Sequence, residues 1–502
     1  MQKNIRRPLG AFNPAKTADT VKTYNIDKLI KEHPAPQVWL DHLQNDLMKF
    51  WGTETARTLD KGLFHTYRSN SGLLIPDDPQ QYPAEIKAAL ANDDTKGLID
   101  LDHNYVRAHS RQTFAYGIAF NMTGESKYLE WCRTGADALM NAFDNENGMF
   151  TRQNNQTGEW GDDINQRTCQ DLAYGITGIG MYYYLTRDER ALFRIIQAQS
   201  YIFDNYFSHG RGFFTWLPKD SLEEEKNRVE IVAQLDQIYA YMMWLAPALP
   251  EPYKSDWSNW LKKIAYTLIT RFYSERYGFF WGAESETAIA NLGTDHTDFG
   301  HSVKTMWLIY EIGIFTGEIA LVNFARGKIS TILEHAFLEE NGSWARRFTI
   351  DGELDKDKEW WGLAELDQAC AILSLNDPSY LEYLNKTYQY WFDYMVDKEN
   401  GEIWHMVSAA DNKPVLEYPK IHSWKTSLHS FEHCLFGYLT ASQIKNKEFT
   451  LHYAFKSEQD VTYDRVHPYL FRANITNVRE GEKFAFMENG NRKISVSFYS
   501  LH

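Results

Sequence analysis

Gly62-Leu63-Phe64, Gly148-Met149-Phe150, Gly212-Phe213-Phe214, Gly278-Phe279-Phe280, Gly342-Ser343-Trp344 and Gly401-Glu402-Ile403-Trp404 repeat one phrase, a glycine followed by aromatic residues. The glycines follow one another at steps of 86, 64, 66, 64 and 59 residues. A near-constant step of this size marks a repeat architecture. Each step has room for two helices and a turn, and six such units fit a ring of helix pairs better than an open array. Apolar residues at helical spacing begin near Val38, Tyr105, Lys127, Gln166, Glu189, Val229, Asp256, Gly300, Ile319, Leu363, Ser379 and Trp424. Tight turns join the paired helices at Thr123-Gly124-Glu125-Ser126, Thr186-Arg187-Asp188-Glu189, Thr316-Gly317-Glu318 and Asn376-Asp377-Pro378-Ser379, each a helix stop followed by a cap. The first helix precedes the first glycine loop and the last follows the sixth, so the two pair across the closure. The reading is a mainly α chain: an (α/α)6 barrel over residues 35–446, with six inner helices inside six outer ones.

Residues 447–502 read differently. Phe449 to Phe455 and Lys493 to Tyr499 alternate at the strand period, and Asn489-Gly490 is a hairpin signal. A small β-rich C-terminal extension is expected there, without assignable chemistry. The long first step holds an insertion from about Pro76 to Asp102, rich in Pro and Asp, placed as a loop over one mouth of the barrel.

Composition narrows the function. Of 502 residues 43% are hydrophobic and 24% charged, which is ordinary for a globular protein, whereas 16 Trp, 30 Tyr and 29 Phe are many. Aromatic side chains suit helix cores and sugar-stacking clefts alike. A net charge of −15 without a long basic run makes nucleic acid an unsuitable partner. Cys132, Cys169, Cys370 and Cys434 are widely spaced and read as buried small hydrophobes. No run reaches membrane-spanning length and Met1 to Arg7 carries no apolar h-region, so a cytoplasmic protein with no membrane partner is expected. No Walker loop, Rossmann fingerprint or G-x-S-x-G elbow occurs, and neither a cofactor nor a metal is expected.

If the first helix of each unit lies inside, as in known double barrels, the inner helices carry Arg111-Gln112, Gln170-Asp171, Gln234, Asp236-Gln237, His301 with Lys304, Glu365 with Asp367, and Lys425 with His429 and Glu432. Polar groups recurring on apolar helices are costly in a dry core and fit a water-filled cavity. His301 follows an acidic cap and a glycine in Thr297-Asp298-Phe299-Gly300-His301. On a first helical turn the dipole disfavours imidazolium and keeps the ring a proton acceptor. Lys425 and Glu432 are placed on the face of His429 by helical spacing. His429-Ser430-Phe431-Glu432-His433 also matches the H-x-x-E-H zinc pattern, although such sites need a further carboxylate ligand. Trp360 and Trp361, at a loop-to-helix junction, and Trp424 suit a stacking floor for a pyranose, whereas Trp307 suits the core.

These residues resemble the N-acylglucosamine 2-epimerase superfamily, which includes cellobiose 2-epimerases and mannose isomerases. The resemblance covers roughly residues 35–445. It is carried by Arg111-Gln112, by Gly300-His301 followed by Trp307, by Trp360-Trp361 before Glu365, and by Trp424-Lys425 before His429. It implies that His301 and His429 form an acid/base pair moving the proton at sugar C2 through an enediolate, with Arg111 orienting the opened sugar. It further places Asp171, Asp236, Lys304, Trp360, Trp361, Glu365, Trp424 and Lys425 around the substrate. Two departures mark a divergent member. Lys304 stands where the family usually has Glu, and Asp236 or Gln234 where it often has another His.

The expected function is therefore a carbohydrate epimerase or aldose–ketose isomerase acting on a mono- or oligosaccharide, with homo-oligomerisation left open. The alternative is a glycoside hydrolase or lyase on the same barrel, using a pair among Asp171, Asp236, Glu365 and Asp367. A non-catalytic sugar-binding barrel is the third class.

Overall fold

Five of the six glycine phrases close two-stranded hairpins, pairing Leu59 with Phe64, Phe143 with Met149, Phe207 with Phe214, Tyr273 with Phe280 and Phe337 with Trp344. The sixth forms a single bridge between Val396 and Ile403. All six glycines have positive φ, from 64° at Gly342 to 117° at Gly62, a backbone that side chains disfavour. The repeat is thus a turn requirement, and Phe64, Phe214, Phe280 and Trp344 are the buried ends of their hairpins. The computed structural model describes residues 24–144, 148–161, 167–218, 229–283 and 296–501. Met1 to Arg7 and Gln166 lie outside them.

Each hairpin follows an outer helix and leads toward the next inner one. The inner helices are Val106–Thr123, Cys169–Thr186, Ile231–Gln237 with its continuation to Leu245, Phe299–Thr316, Trp360–Ser374 and Leu428–Ile444. Their side chains are buried almost without exception. The outer helices Ser126–Asn141, Glu189–Tyr206, Tyr253–Phe272, Ile319–Ala336 and Leu381–Tyr390 bury one stripe each. In Glu189–Tyr206 that stripe is Ala191, Ile195, Ala198, Ile202 and Phe203, a helical period. Pro36–His42 and its continuation to Trp51 form the sixth outer element, packed on the last inner helix. The last inner helix also packs on the first, closing the (α/α)6 barrel. Small residues let inner helices approach: a Cβ on Gly178 would meet the Ser110 carbonyl oxygen at 2.7 Å.

Two local expectations change. The helix read from Trp424 begins at Leu428, so Trp424 and Lys425 belong to the loop before it and share no helical face with His429. The helix Ile26–Glu32 lies before residue 35 and is tied to an outer helix through Asn385, which donates to the Leu29 carbonyl at 3.0 Å. Seven tryptophans, Trp307 among them, are fully buried core residues, and all four cysteines are buried and free. Among the described residues no helix is long and apolar enough to cross a membrane.

The tail forms a three-stranded antiparallel sheet whose last strand, Arg492–Tyr499, lies between Phe449–Phe455 and Asn474–Lys483. The edge strand Asn474–Lys483 is largely exposed and polar, so its sequence carries no apolar alternation. The sheet covers the end of the barrel where tight turns join inner to outer helices. There Tyr184 Oη donates to the His467 carbonyl at 2.5 Å. Between the first two strands Tyr469 enters that end of the barrel. It is 1% exposed, stacks on Trp244 at 5.7 Å and touches Phe114 and Phe436.

Candidate active site

The other end of the barrel holds a cavity of about 460 Å³, within the range of small-molecule sites. The inner helices deliver residues to it from their first turns: Arg107, Gln170, His301, Trp360 and Trp361, and His429, with Arg111 one turn further in. Asp236 and Lys304 arrive from slightly deeper. Asp94 and Leu98 of the first-step insertion also reach the wall, so that insertion shapes the mouth. A larger cavity of about 730 Å³ lies at the opposite end, between tail and barrel, and none of the residues selected from the sequence lines it.

His301 is fixed by Asp298, the cap of its helix. One carboxylate oxygen accepts from the His301 backbone N–H and the other from Nδ1, both at 2.7 Å. An ionised carboxylate only accepts, so Nδ1 carries the proton and Nε2 is the basic nitrogen. Burial lowers the pKa of this imidazole; Asp298 opposes the shift, and Lys304 adds to it.

His429 is held differently. The Tyr239 hydroxyl lies 2.9 Å from Nδ1 and 2.5 Å from Glu432 Oε2. Its single proton goes to the carboxylate, so its oxygen accepts Nδ1–H and Nε2 is again basic. Burial, then Lys304 and Arg111, push this imidazole well below its ordinary pKa. Trp361 neighbours both histidines, its ring centroid 4.4 Å from that of His301 and 6.2 Å from that of His429.

The cavity's cations are placed by rings and carboxylates. The Arg111 guanidinium lies 3.8 Å over Tyr174 and donates to the Trp424 carbonyl at 2.6 Å. Arg107 stacks at 3.8 Å on Trp424 and pairs with Asp171 at 2.6 Å. Lys304 lies 3.5 Å from Asp236. Although burial alone would raise the Asp236 carboxyl, Lys304 and the Gln170 amide hold it below the usual range. Glu359, with Arg346 at 2.8 Å, is pulled down to about 2 against its burial.

His301, His429, Arg111, Asp236, Lys304, Trp360, Trp361 and Trp424 therefore share one wall. Asp171, Glu365 and Lys425 do not. Asp171 sits behind Arg107. Lys425 is fully buried against Glu402 at 3.3 Å. Glu365 lies beneath His429 and accepts from Trp307 Nε1 at 3.0 Å. Its carboxyl is raised to about 8 by burial and by Glu432, against the pull of Lys304. Gln234 clamps the third hairpin, bonding the Phe214 N–H and carbonyl at 2.7 Å each, which leaves Asp236 as the residue facing the cavity. Asp367 accepts from Trp344, Thr387 and His433 within the core.

The H-x-x-E-H pattern is divided by those contacts: His433 turns to Asp367 and Trp391, away from His429. Glu365, His429 and Glu432 do bring ligand-type atoms within 4.8 Å of one another. Hydrogen bonds from Trp307, Tyr239 and Tyr469 engage these groups. Arg107, four residues before Arg111 on one helix face, was legible by spacing; Asp298 was legible only as a cap. Tyr239, Glu359 and Tyr469 carried no local signal.

The fold and the site define a double barrel with two imidazoles and several cations around one sugar-sized cavity. No family model matches the chain. It is 23% identical over 348 residues to cellobiose 2-epimerase from Ruminococcus albus, covering 65% of this chain and 85% of that one. Cellobiose 2-epimerase from Spirochaeta thermophila shares its fold with a TM-score of 0.64 at 17% identity, over 85% of this chain and all of that one. D-Mannose isomerase does so with a TM-score of 0.64 at 14% identity, over 80% of this chain and 98% of that one. These likenesses bear out the resemblance to the N-acylglucosamine 2-epimerase superfamily read from the sequence, at low identity.

Proposed function

We propose that the chain is a carbohydrate epimerase or aldose–ketose isomerase that moves a proton at sugar C2 through an enediolate, with His301 and His429 as its acid/base groups. The observation that carries this reading is the pair of imidazoles lining one cavity beside Trp361, each with Nδ1–H held by an acceptor and Nε2 basic. The relatives named above support the reaction class.

His301 Nε2 takes the C2 proton, and the C–H electron pair passes into an enediolate whose negative charge rests on the C1 oxygen. Asp298 stabilises the imidazolium so formed. Arg111, Lys304 and the inner-helix N-termini converging on this mouth stabilise the oxyanion. Return of the proton from His301 to C1, with the C2 hydroxyl proton passing to the C1 oxygen, gives the ketose. Return of a proton to C2 from the His429 side gives the epimer, which requires His429 to carry a proton when the enediolate forms. Hydrolysis by paired carboxylates finds less support, because Asp171, Asp236, Asp298 and Glu359 are each bound to a cationic or imidazole partner.

Proton NMR of aldoses, ketoses and β-linked disaccharides with the protein in D2O tests the reading. Loss of the C2 proton signal supports it, and the new sugar distinguishes epimer from ketose. Cleavage without C2 exchange overturns it. His301→Ala and His429→Ala should each abolish exchange while leaving the helical circular dichroism unchanged.

A further inference from the structure

The tail sheet lies at the far end of the barrel from the cavity, yet one of its residues belongs to the hydrogen-bond chain that ends on His429. Tyr469 Oη donates to Glu432 Oε1 at 2.5 Å, and Tyr239 Oη donates to Glu432 Oε2 at 2.5 Å. The Tyr239 oxygen in turn lies 2.9 Å from His429 Nδ1. Tyr469, Glu432 and Tyr239 are all buried. The backbone of Tyr469 has φ of 60°, a left-handed conformation that is unfavourable for a non-glycine residue. The tail enforces it: the Tyr469 N–H donates to Tyr184 Oη at 3.0 Å, and Tyr184 is anchored on the His467 carbonyl.

We infer that Tyr469 is a positioning residue for His429, and that the tail sheet sets the tautomer of an acid/base group on the far side of the barrel. The inference rests on the acid/base reading above for its catalytic meaning, though the tautomer itself does not depend on it. With both tyrosyl protons delivered to it, Glu432 acts only as an acceptor. Tyr239 must then accept from His429, and Nε2 stays basic. Without the Tyr469 hydroxyl, one oxygen of Glu432 loses its donor in a buried site beside Glu365, and the carboxyl takes up a proton. That proton is given to the Tyr239 oxygen, whose own hydroxyl turns to His429 Nδ1. The imidazole proton then moves to Nε2, and the nitrogen that takes the C2 proton when the epimer reacts in the reverse direction is blocked.

The test is Tyr469→Phe in the full-length protein, read by nitrogen NMR of 15N-histidine-labelled protein, with the His429 signals assigned by their loss in His429→Gln. The wild type should show a protonated Nδ1 and an unprotonated Nε2, and the variant should show the reverse. In the C2 exchange assay kcat should fall by about tenfold or more with KM within about twofold, since no sugar contact is lost. Glu432→Gln, which also ends the acceptor-only role, should move the same nitrogen signals. Val496→Ala thins the buried centre of the tail sheet without touching the hydroxyl chain and should match the wild type in both readouts. An unchanged tautomer in Tyr469→Phe and Glu432→Gln overturns the inference, as does a Val496→Ala protein that reproduces their effect. If instead His429→Ala keeps full exchange, the acid/base reading fails, and the nitrogen signals still decide what Tyr469 does.

Discussion

Lys304 Nζ stands 3.5 Å from Asp236 Oδ1, and both side chains are buried. Lys304 is one of the two departures read from the sequence and Asp236, beside Gln234, a candidate for the other, and these two form an ion pair. Each supports the other's charge: against burial, Asp236 raises the Lys304 ammonium pKa and Lys304 lowers that of the Asp236 carboxyl. Removing one partner strands the other. Lys304→Met should cost about 3–5 kcal/mol of stability, measured by denaturant unfolding. Lys304→Glu, which faces two carboxylates across the pair, should be worse, and Lys304→Glu combined with Asp236→His should recover much of the loss.

Asp298 binds His301 through two hydrogen bonds, one to the backbone and one to the ring. Asp298→Asn keeps the size of the side chain and loses the charge that stabilises the imidazolium. Its kcat should fall by on the order of 10²-fold or more, with the fold intact by circular dichroism.

The acid limb of the rate profile follows from the same environment. Burial holds His301 and His429 below the ordinary 6.5; conversion to the ketose needs only a neutral His301, so its kcat/KM should decline only at more acidic pH. Lys304 contributes to both depressions. Lys304→Met should therefore move the limb to higher pH, and a pH–rate series on the two proteins checks the direction.

Stability should fall over the same window. Burial lowers His33 and His109 to about 4 and His467 to about 3. His109 illustrates the cause: its Nδ1 accepts from the Phe64 N–H at 2.8 Å and so must stay unprotonated. Below pH 6.5 the unfolded chain binds these protons and the folded chain does not, so stability is complete above 6.5 and is lost as pH falls toward 4. The three together give a slope of about 4 kcal/mol per pH unit, which chemical denaturation at pH 7, 6 and 5 would reveal.

Asp367 separates a structural carboxylate from a chemical one. It accepts from Trp344 Nε1 at 2.8 Å and Thr387 Oγ1 at 2.5 Å, and it pairs with His433 at 2.9 Å. Asp367→Ala leaves Trp344 and His433 without an acceptor and Thr387 with only the Leu384 carbonyl, and should lower stability by about 3 kcal/mol or more. Any soluble fraction should keep its KM.

The barrel was legible because its repeat is a backbone requirement. Positive φ at Gly62, Gly148, Gly212, Gly278, Gly342 and Gly401 leaves a mark that packing cannot erase. His301 was legible for a related reason, since cap, glycine and histidine are neighbours in the chain. The supports of the site were hidden because they come from other elements. Tyr239 and Glu432 look like any polar residues on an inner helix, and nothing near Tyr469 in sequence points to Glu432. Lys425 was misplaced because helical spacing was extended into a loop. The strand Asn474–Lys483 went unread because both of its faces are polar.

The long loops and the tight turns sit at opposite ends of the ring, and the plug formed by Tyr469 occupies the tight-turn end. Among the described residues the barrel is in effect a vessel with a single door. A sugar that has reacted must leave by the route its successor enters, and the two cannot occupy the passage together. Product should accordingly compete with substrate, raising apparent KM and sparing kcat, whichever sugar proves to be the natural one. Traffic through that one door, more than the proton transfer behind it, then sets how fast the reaction proceeds as product accumulates.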